Sequence, residues 1–262
     1  MGKKSLFYYA IALLGGLVLL FIAAPLINMF LASSPQALID TVSDKEVSSS
    51  IARSLVLAML ATLFFGIFAI PFAWYLARYN FPLKRFVSGL IDVPVMIPHS
   101  AAGIAVLGVL NRDTGFGKLA GSIGIDFVDR PAGIIVAMAF VSLPFLINGA
   151  RDAFAAVPQK LEKAALNLGA SPLRMFFTIS VPLALRGIMS GFVMMFARGM
   201  SEFGAVVIIA YNPFTAPVLI FDRFNAFGLK AAQPVSVLFI LVSLIVFIGL
   251  RMLTKNSDHA RS

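Results

Sequence analysis

The sequence predicts an all-α integral membrane protein with six transmembrane helices, and three observations carry that prediction. Apolar residues make up 60% of the 262 positions and charged residues only 13%, about half the share of roughly 25% found in soluble domains. The apolar residues fall in runs long enough to cross a bilayer, which takes about 20 residues of helix. Basic residues collect on alternate sides of those runs, as orientation in a membrane requires. The chain has no cysteine, so disulfides, thiolate metal sites and catalytic thiols are excluded, and two histidines are too few for a histidine-built metal cluster. No cofactor or metal site is expected.

The first span covers about Ser5 to Leu31, because no charge follows Lys3 and Lys4 until Asp40. A signal peptide shares the basic start, but its apolar core is only about 7–15 residues long. Pro25 sits toward the far end of the run, where it favours a kink. Asp40 to Arg53 reads as a short polar connection. Ser54 to Ala77 is the second span, closed by Trp74, Tyr75 and Tyr79 as an interfacial aromatic anchor. Arg78, Lys84 and Arg85 form a basic loop before the third span, Phe86 to Leu110, which carries Asp92, Pro94, Pro98 and His99. A glycine-rich loop of mixed charge, 111–130, precedes the fourth span, Pro131 to Ala150. A polar segment from Val157 to Pro182 follows. The fifth span is Gly187 to Tyr211, with Arg198 and Glu202 inside it, and the sixth is Ala231 to Leu250.

With the N-terminus inside, the inner segments hold thirteen basic residues and the outer loops hold seven (Lys45, Arg53, Arg112, Lys118, Arg130, Arg223 and Lys230). The bias places both termini and the 157–182 segment in the cytoplasm. It also accounts for the net charge of +9 without nucleic acid as a partner.

The 157–182 segment is the most polar long stretch between two intensely apolar ones. Leu161, Ala164, Ala165 and Leu168 recur at helical spacing and predict a short helix with one apolar face. Gly169 follows, where a helix end wants positive φ. Ser171 and Pro172 then read as an N-cap and a first-turn proline opening a second helix.

This pattern resembles the cytoplasmic EAA loop of ATP-binding-cassette (ABC) importer permeases: Glu-Ala-Ala, three residues, Gly, nine residues, Ile, one residue, Leu-Pro. Ala164, Ala165, Gly169, Ile179 and Pro182 fall in register, and Val181 stands for the leucine. The glutamate position holds Lys163, with the acid one residue earlier at Glu162. The resemblance implies a coupling helix docking on an ATPase subunit, and it assigns Glu162, Lys163, Ala164, Ala165, Gly169, Ala170, Ser171, Ile179 and Pro182 to that contact. Arg198 to Ala205, Arg-Gly-Met-Ser-Glu-Phe-Gly-Ala, is similar to the oxyanion-importer permeases. With Asp92 to Gly103 and Ile208 to Pro213, it looks most like archaeal molybdate/tungstate permeases.

The interior polar residues keep two readings each. Arg198 and Glu202, four apart on one helix face, are either a self-neutralising lock or part of the lining of a translocation path. Asp92 and His99, seven apart on one face of the third span, are a packed polar contact near the path, or else a metal or proton-relay pair. Ser100, Asn148 and Ser201 are interhelical hydrogen-bonding groups or neutral donors to an oxyanion.

The resemblance implies a type I ABC importer (MetI-like) permease fold. It implies one transmembrane permease domain over 1–262, a core at about 50–252, and a first helix flanking the other five. It further implies a homodimer in the lipid bilayer of the cell membrane, two cytoplasmic ABC ATPase subunits, and an extracytoplasmic oxyanion-binding protein. The chain carries no phosphate-binding loop of its own: before Gly117-Lys118 the required first glycine is Arg112. No catalytic residue is expected. Sulfate or thiosulfate is the alternative cargo. A secondary transporter or channel that uses Asp92, Arg198 and Glu202 without ATPase subunits is the alternative class. A membrane enzyme lacks its motifs, His-Glu-x-x-His or Gly-x-Ser-x-Gly.

Overall fold

Prolines and capping side chains set the boundaries of the helices. The computed structural model describes residues 6–255. Its elements are α1 (Leu6–Ala32), α2 (Pro35–Ser43), α3 (Lys45–Arg78), α4 (Lys84–Met96), α5 (His99–Leu110), α6 (Gly115–Ser122), α7 (Pro131–Ala156), α8 (Gln159–Asn167) and α9 (Pro172–Met175). A π-helical turn, Phe176–Ser180, runs from α9 into α10 (Val181–Met200). Then follow α11 (Gly204–Ile209), α12 (Ala216–Phe227) and α13 (Leu229–Lys255). Among the described residues every regular element is helical. Five helices are long and apolar enough to cross a membrane, and the α4–α5 pair makes a sixth span if counted as one.

The expected polar connection at 40–53 is helical instead. Ser34 caps α2 by accepting from the Ala37 amide, with Pro35 in the first turn. Asp44 accepts from the Glu46 amide at 2.8 Å, so α3 begins at Lys45 rather than Ser54. Arg223 of α12 closes this corner with Asp44 at 2.9 Å and Glu46 at 2.7 Å.

The third span is not one rod. It bends by 113° between α4 and α5. The residue before a proline is pushed out of helical geometry, and Ile97, before Pro98, is extended at φ −81°, ψ 153°. Asp92 and His99 therefore lie on different half-helices and share no face. The fifth span also stops early, at Met200, so Glu202 sits in a break before α11 rather than within a helix.

At its other end the fifth span starts sooner than Gly187, because α9 and the π turn lead straight into α10. A proline ring crowds the carbonyl four residues back. Pro182 does this to Thr178, and the turn before it widens until the Val181 amide bonds Phe176 five residues earlier.

α7 is the central helix, packed against α10 and α3. Ile134, Met138, Leu146, Phe154, Met195 and Phe196 are buried there. α5 packs on α11, and α12 packs on α13. α1 runs unbroken through Pro25, touches α13, and buries none of its apolar window, so it flanks the bundle. The outward faces of α1 and α3, including Leu63, Phe64, Ile67 and Phe68, suit a lipid surrounding.

Candidate functional site

Two polar sites stand out at opposite ends of α10. The first is the segment from α8 to the π turn, at the basic end of the bundle. Its positive-φ glycine is where the sequence places it: Gly169 has φ +87° and open space around it. Ser171 caps α9 by accepting from the Arg174 amide at 3.3 Å. Lys163, Ala164, Ser171, Leu161, Leu168 and Leu173 face outward, Leu168 with 89% of its surface exposed. Ala165, Ala170, Ile179 and Pro182 are half-buried.

Glu162 points the other way, into the bundle, and is 5% exposed. Arg78 donates to it through Nε at 2.7 Å and Nη2 at 2.9 Å. The Ser180 hydroxyl donates at 2.6 Å and the Trp74 indole N–H at 3.3 Å. Arg78 Nη2 also donates to the Val157 carbonyl at 3.1 Å. Burial, the largest single influence, pushes the Glu162 pKa up. The bonds from Arg78, Ser180 and Trp74 and the charge on Arg78 outweigh it and hold the carboxyl below its ordinary value.

The second site joins the two broken spans. Glu202 is fully buried. Its carboxylate accepts from the Ala205 amide at 2.8 Å, capping α11, and pairs with Arg198 Nη2 at 2.7 Å and His99 Nδ1 at 2.9 Å. Arg198 Nη2 also lies 2.9 Å from His99 Nε2. The same Arg198 nitrogen is 2.6 Å from His99 Nδ1, so the guanidinium lies against the imidazole ring and both groups meet the Glu202 carboxylate. The Arg198 charge offsets that of Glu202, and the Arg198 and His99 side chains keep 23% and 36% of their surface exposed. The helices meet closely here because Gly204 lacks a Cβ, which would lie 2.6 Å from the His99 Cβ.

Of the other interior polar residues, Asp92 accepts from Asn148 Nδ2 at 2.7 Å, joining α4 to α7, while Asn148 Oδ1 is buried without a partner. Ser201 is exposed and donates to the Arg198 carbonyl at 3.2 Å. Ser100 is exposed in the first turn of α5.

Residues 69–257 match the family described as binding-protein-dependent transport system inner membrane component. The chain belongs to that family. It is 42% identical over 262 residues to the molybdate/tungstate transport system permease protein WtpB of Pyrococcus furiosus, covering 99% of this chain and 100% of that one. It is 37% identical over 209 residues to a probable sulfate transport system permease protein of Chlorokybus atmophyticus, covering 78% and 73% of the two chains. Its fold matches a chain of a bacterial ABC transporter that imports alginate, with a TM-score of 0.76 at 17% identity over 98% of this chain and 97% of that one.

This permease is thus a multi-pass plasma-membrane subunit of an ABC importer, with transport rather than enzymatic chemistry as its part. The family implies an ATPase partner and a substrate-binding partner. Sequence reading of the permease missed Arg78, Trp74 and Ser180. Arg78 reads as one more inner basic residue and Trp74 as an interfacial anchor, yet both turn inward to Glu162. The one available signal was an acid, Glu162, in a segment otherwise rich in lysine and arginine.

Proposed function

We propose that the chain works as a homodimer that imports molybdate or tungstate, with the path between the two copies and an extracytoplasmic protein delivering the anion. The observation that carries the cargo is the full-length likeness to a protein named for molybdate and tungstate. The likeness to a sulfate permease is lower and shorter. The two cytoplasmic ATPase subunits dock on the 157–182 segment, where Leu161, Leu168 and Leu173 offer apolar surface beside Lys163. Apolar residues exposed on a cytoplasmic loop mark a contact surface better than a lipid-facing one.

The anion passes the break where Arg198, His99 and Glu202 meet. A bare carboxylate there would repel it, and Arg198 removes that repulsion while keeping donors exposed. Ser100 and Ser201 add neutral hydroxyls at the same level, and Asp92 with Asn148 lies further along the route.

ATP binding closes the motor subunits, the docked segments move with them, and the path turns from inward-facing to outward-facing. Tight binding belongs to the delivery protein, so the path itself holds the anion weakly. The test is reconstitution in proteoliposomes with the ATPase and binding proteins. Molybdate or tungstate should stimulate hydrolysis and accumulate more than sulfate. The reverse order would transfer the cargo to sulfate, and uptake without ATPase subunits would sink the importer mechanism.

A further inference from the structure

We propose that the Glu162–Arg78 pair is the joint through which the docked segment drives the bundle, with Arg78, Trp74 and Ser180 as positioning residues. The inference rests on the docking reading given above and concerns the opposite face of the same short helix.

Glu162 receives three donor side chains from two elements at once. Arg78 and Trp74 come from the inner end of α3, and Ser180 comes from the last position of the π turn. Through its Nη2, Arg78 also holds the Val157 carbonyl, which ends α7. The Glu162–Arg78 pair therefore ties α8 to α3, to the end of α7 and, through the π turn, to the start of α10. These are the helices that make up the centre of the bundle.

The connections along the chain are weaker candidates for carrying force. Gly169 turns at positive φ with open space where a side chain would stand, so no packed side chain braces the bend. The π turn interrupts the regular α-helical bonding. Both interruptions lie between α8 and α10, so without the carboxylate node α8 would reach α10 only through them. With it, a displacement of α8 must move α3, α7 and α10 together. The node is dry, with both side chains of the ion pair under a tenth exposed, so water does not compete for its hydrogen bonds.

The absence of cysteine allows a clean test in the assembled transporter. A single Leu168→Cys probe on the outward face reports contact with the ATPase by cross-linking. ATP hydrolysed per anion imported reports force transmission. In Glu162→Gln, cross-linking should persist and hydrolysis should continue, while the ATP used per anion rises about tenfold, within the range of about 5–150-fold typical of coupling between two sites. Glu162→Asp, which keeps the charge on a shorter stem, should recover part of the ratio. A purely structural role would lower hydrolysis and import in parallel and leave the ratio unmoved.

Should Glu162→Gln fail to assemble, Ser180→Ala removes one donor and leaves the ion pair intact, and it should raise the ratio by a smaller factor. An unchanged ratio in an assembled Glu162→Gln, or in Ser180→Ala if that variant has to carry the test, overturns the joint. If Leu168→Cys fails to cross-link in the otherwise unaltered chain, the docking reading itself falls, and the joint with it.

Discussion

Glu162 and Glu202 are both buried carboxylates paired with an arginine, yet their surroundings differ in kind. Around Glu162 the Arg78 side chain and Ser180 are also enclosed and Trp74 is half-buried, and the donors besides Arg78 are neutral groups of this same chain, Ser180 and Trp74. Around Glu202 the carboxylate is enclosed but its partners are not: Arg198 and His99 each present part of their surface outward. A charge pair closed on all sides can only hold elements together. A pair with an open cationic face can also meet an anion. The comparison teaches that the exposure of the arginine, rather than the presence of the pair, decides whether an anion can reach it.

The strongest way to break the comparison is Glu202→Ala. It strips the α11 cap and leaves Arg198 without its counter-charge, at a cost of about 3–5 kcal/mol for breaking a buried pair. Import should vanish, and the folded yield in detergent should drop. Next comes Arg198→Ala, which leaves Glu202 to repel the anion. Import should fall by at least about tenfold, since leaving a buried charge uncompensated costs several kcal/mol, while Lys118→Ala, in an outer loop, should stay near the unaltered rate. Equal effects at the two positions would end the case for a functional interior pair.

A smaller effect is expected from Gly169→Val. A β-branched residue at φ +87° carries about 1–2 kcal/mol of strain. It should uncouple hydrolysis from uptake without harming membrane insertion, and unchanged uptake would count against the docking role. The smallest effect concerns pH. The folded pKa of Glu162 lies below its ordinary 4.5, so its stabilisation is fully present above pH 4.5 and lost as pH falls through the folded value. The melting temperature of the purified chain should therefore fall on the acid side of that point. Glu162→Gln should shallow that acid limb while leaving its slope above pH 5 the same.

Much of the first site was legible and much of the second was not. Gly169, Ser171 and Pro172 announce a bend by local rules, and the bend is there, because capping and positive φ depend on a few neighbouring residues. Arg198 and Glu202 were legible as a pair for the same reason, being four residues apart. Their setting was not. Asp92 and His99, seven apart on an unbroken rod, would share a face, and the 113° turn at Pro98 separates them. His99 then meets Glu202, 103 residues away, and Asp92 meets Asn148, 56 residues away. No periodicity within one helix encodes such meetings.

The amino-acid sequence alone determined that this is a helical membrane protein, where its spans lie to within a turn or two in most cases, and that one inner loop is bent. Those properties come from hydropathy, charge asymmetry and local backbone preference, each of which acts over a few residues or along a single segment. Only the tertiary structure decided which face of that loop looks outward, that Glu162 is spent on Arg78 within the chain, and that two interrupted spans share one buried carboxylate. In a bilayer an apolar helix face is as content against lipid as against another helix. Close approach at small residues and the satisfaction of buried charge therefore choose the partners, and both are properties of the assembled bundle.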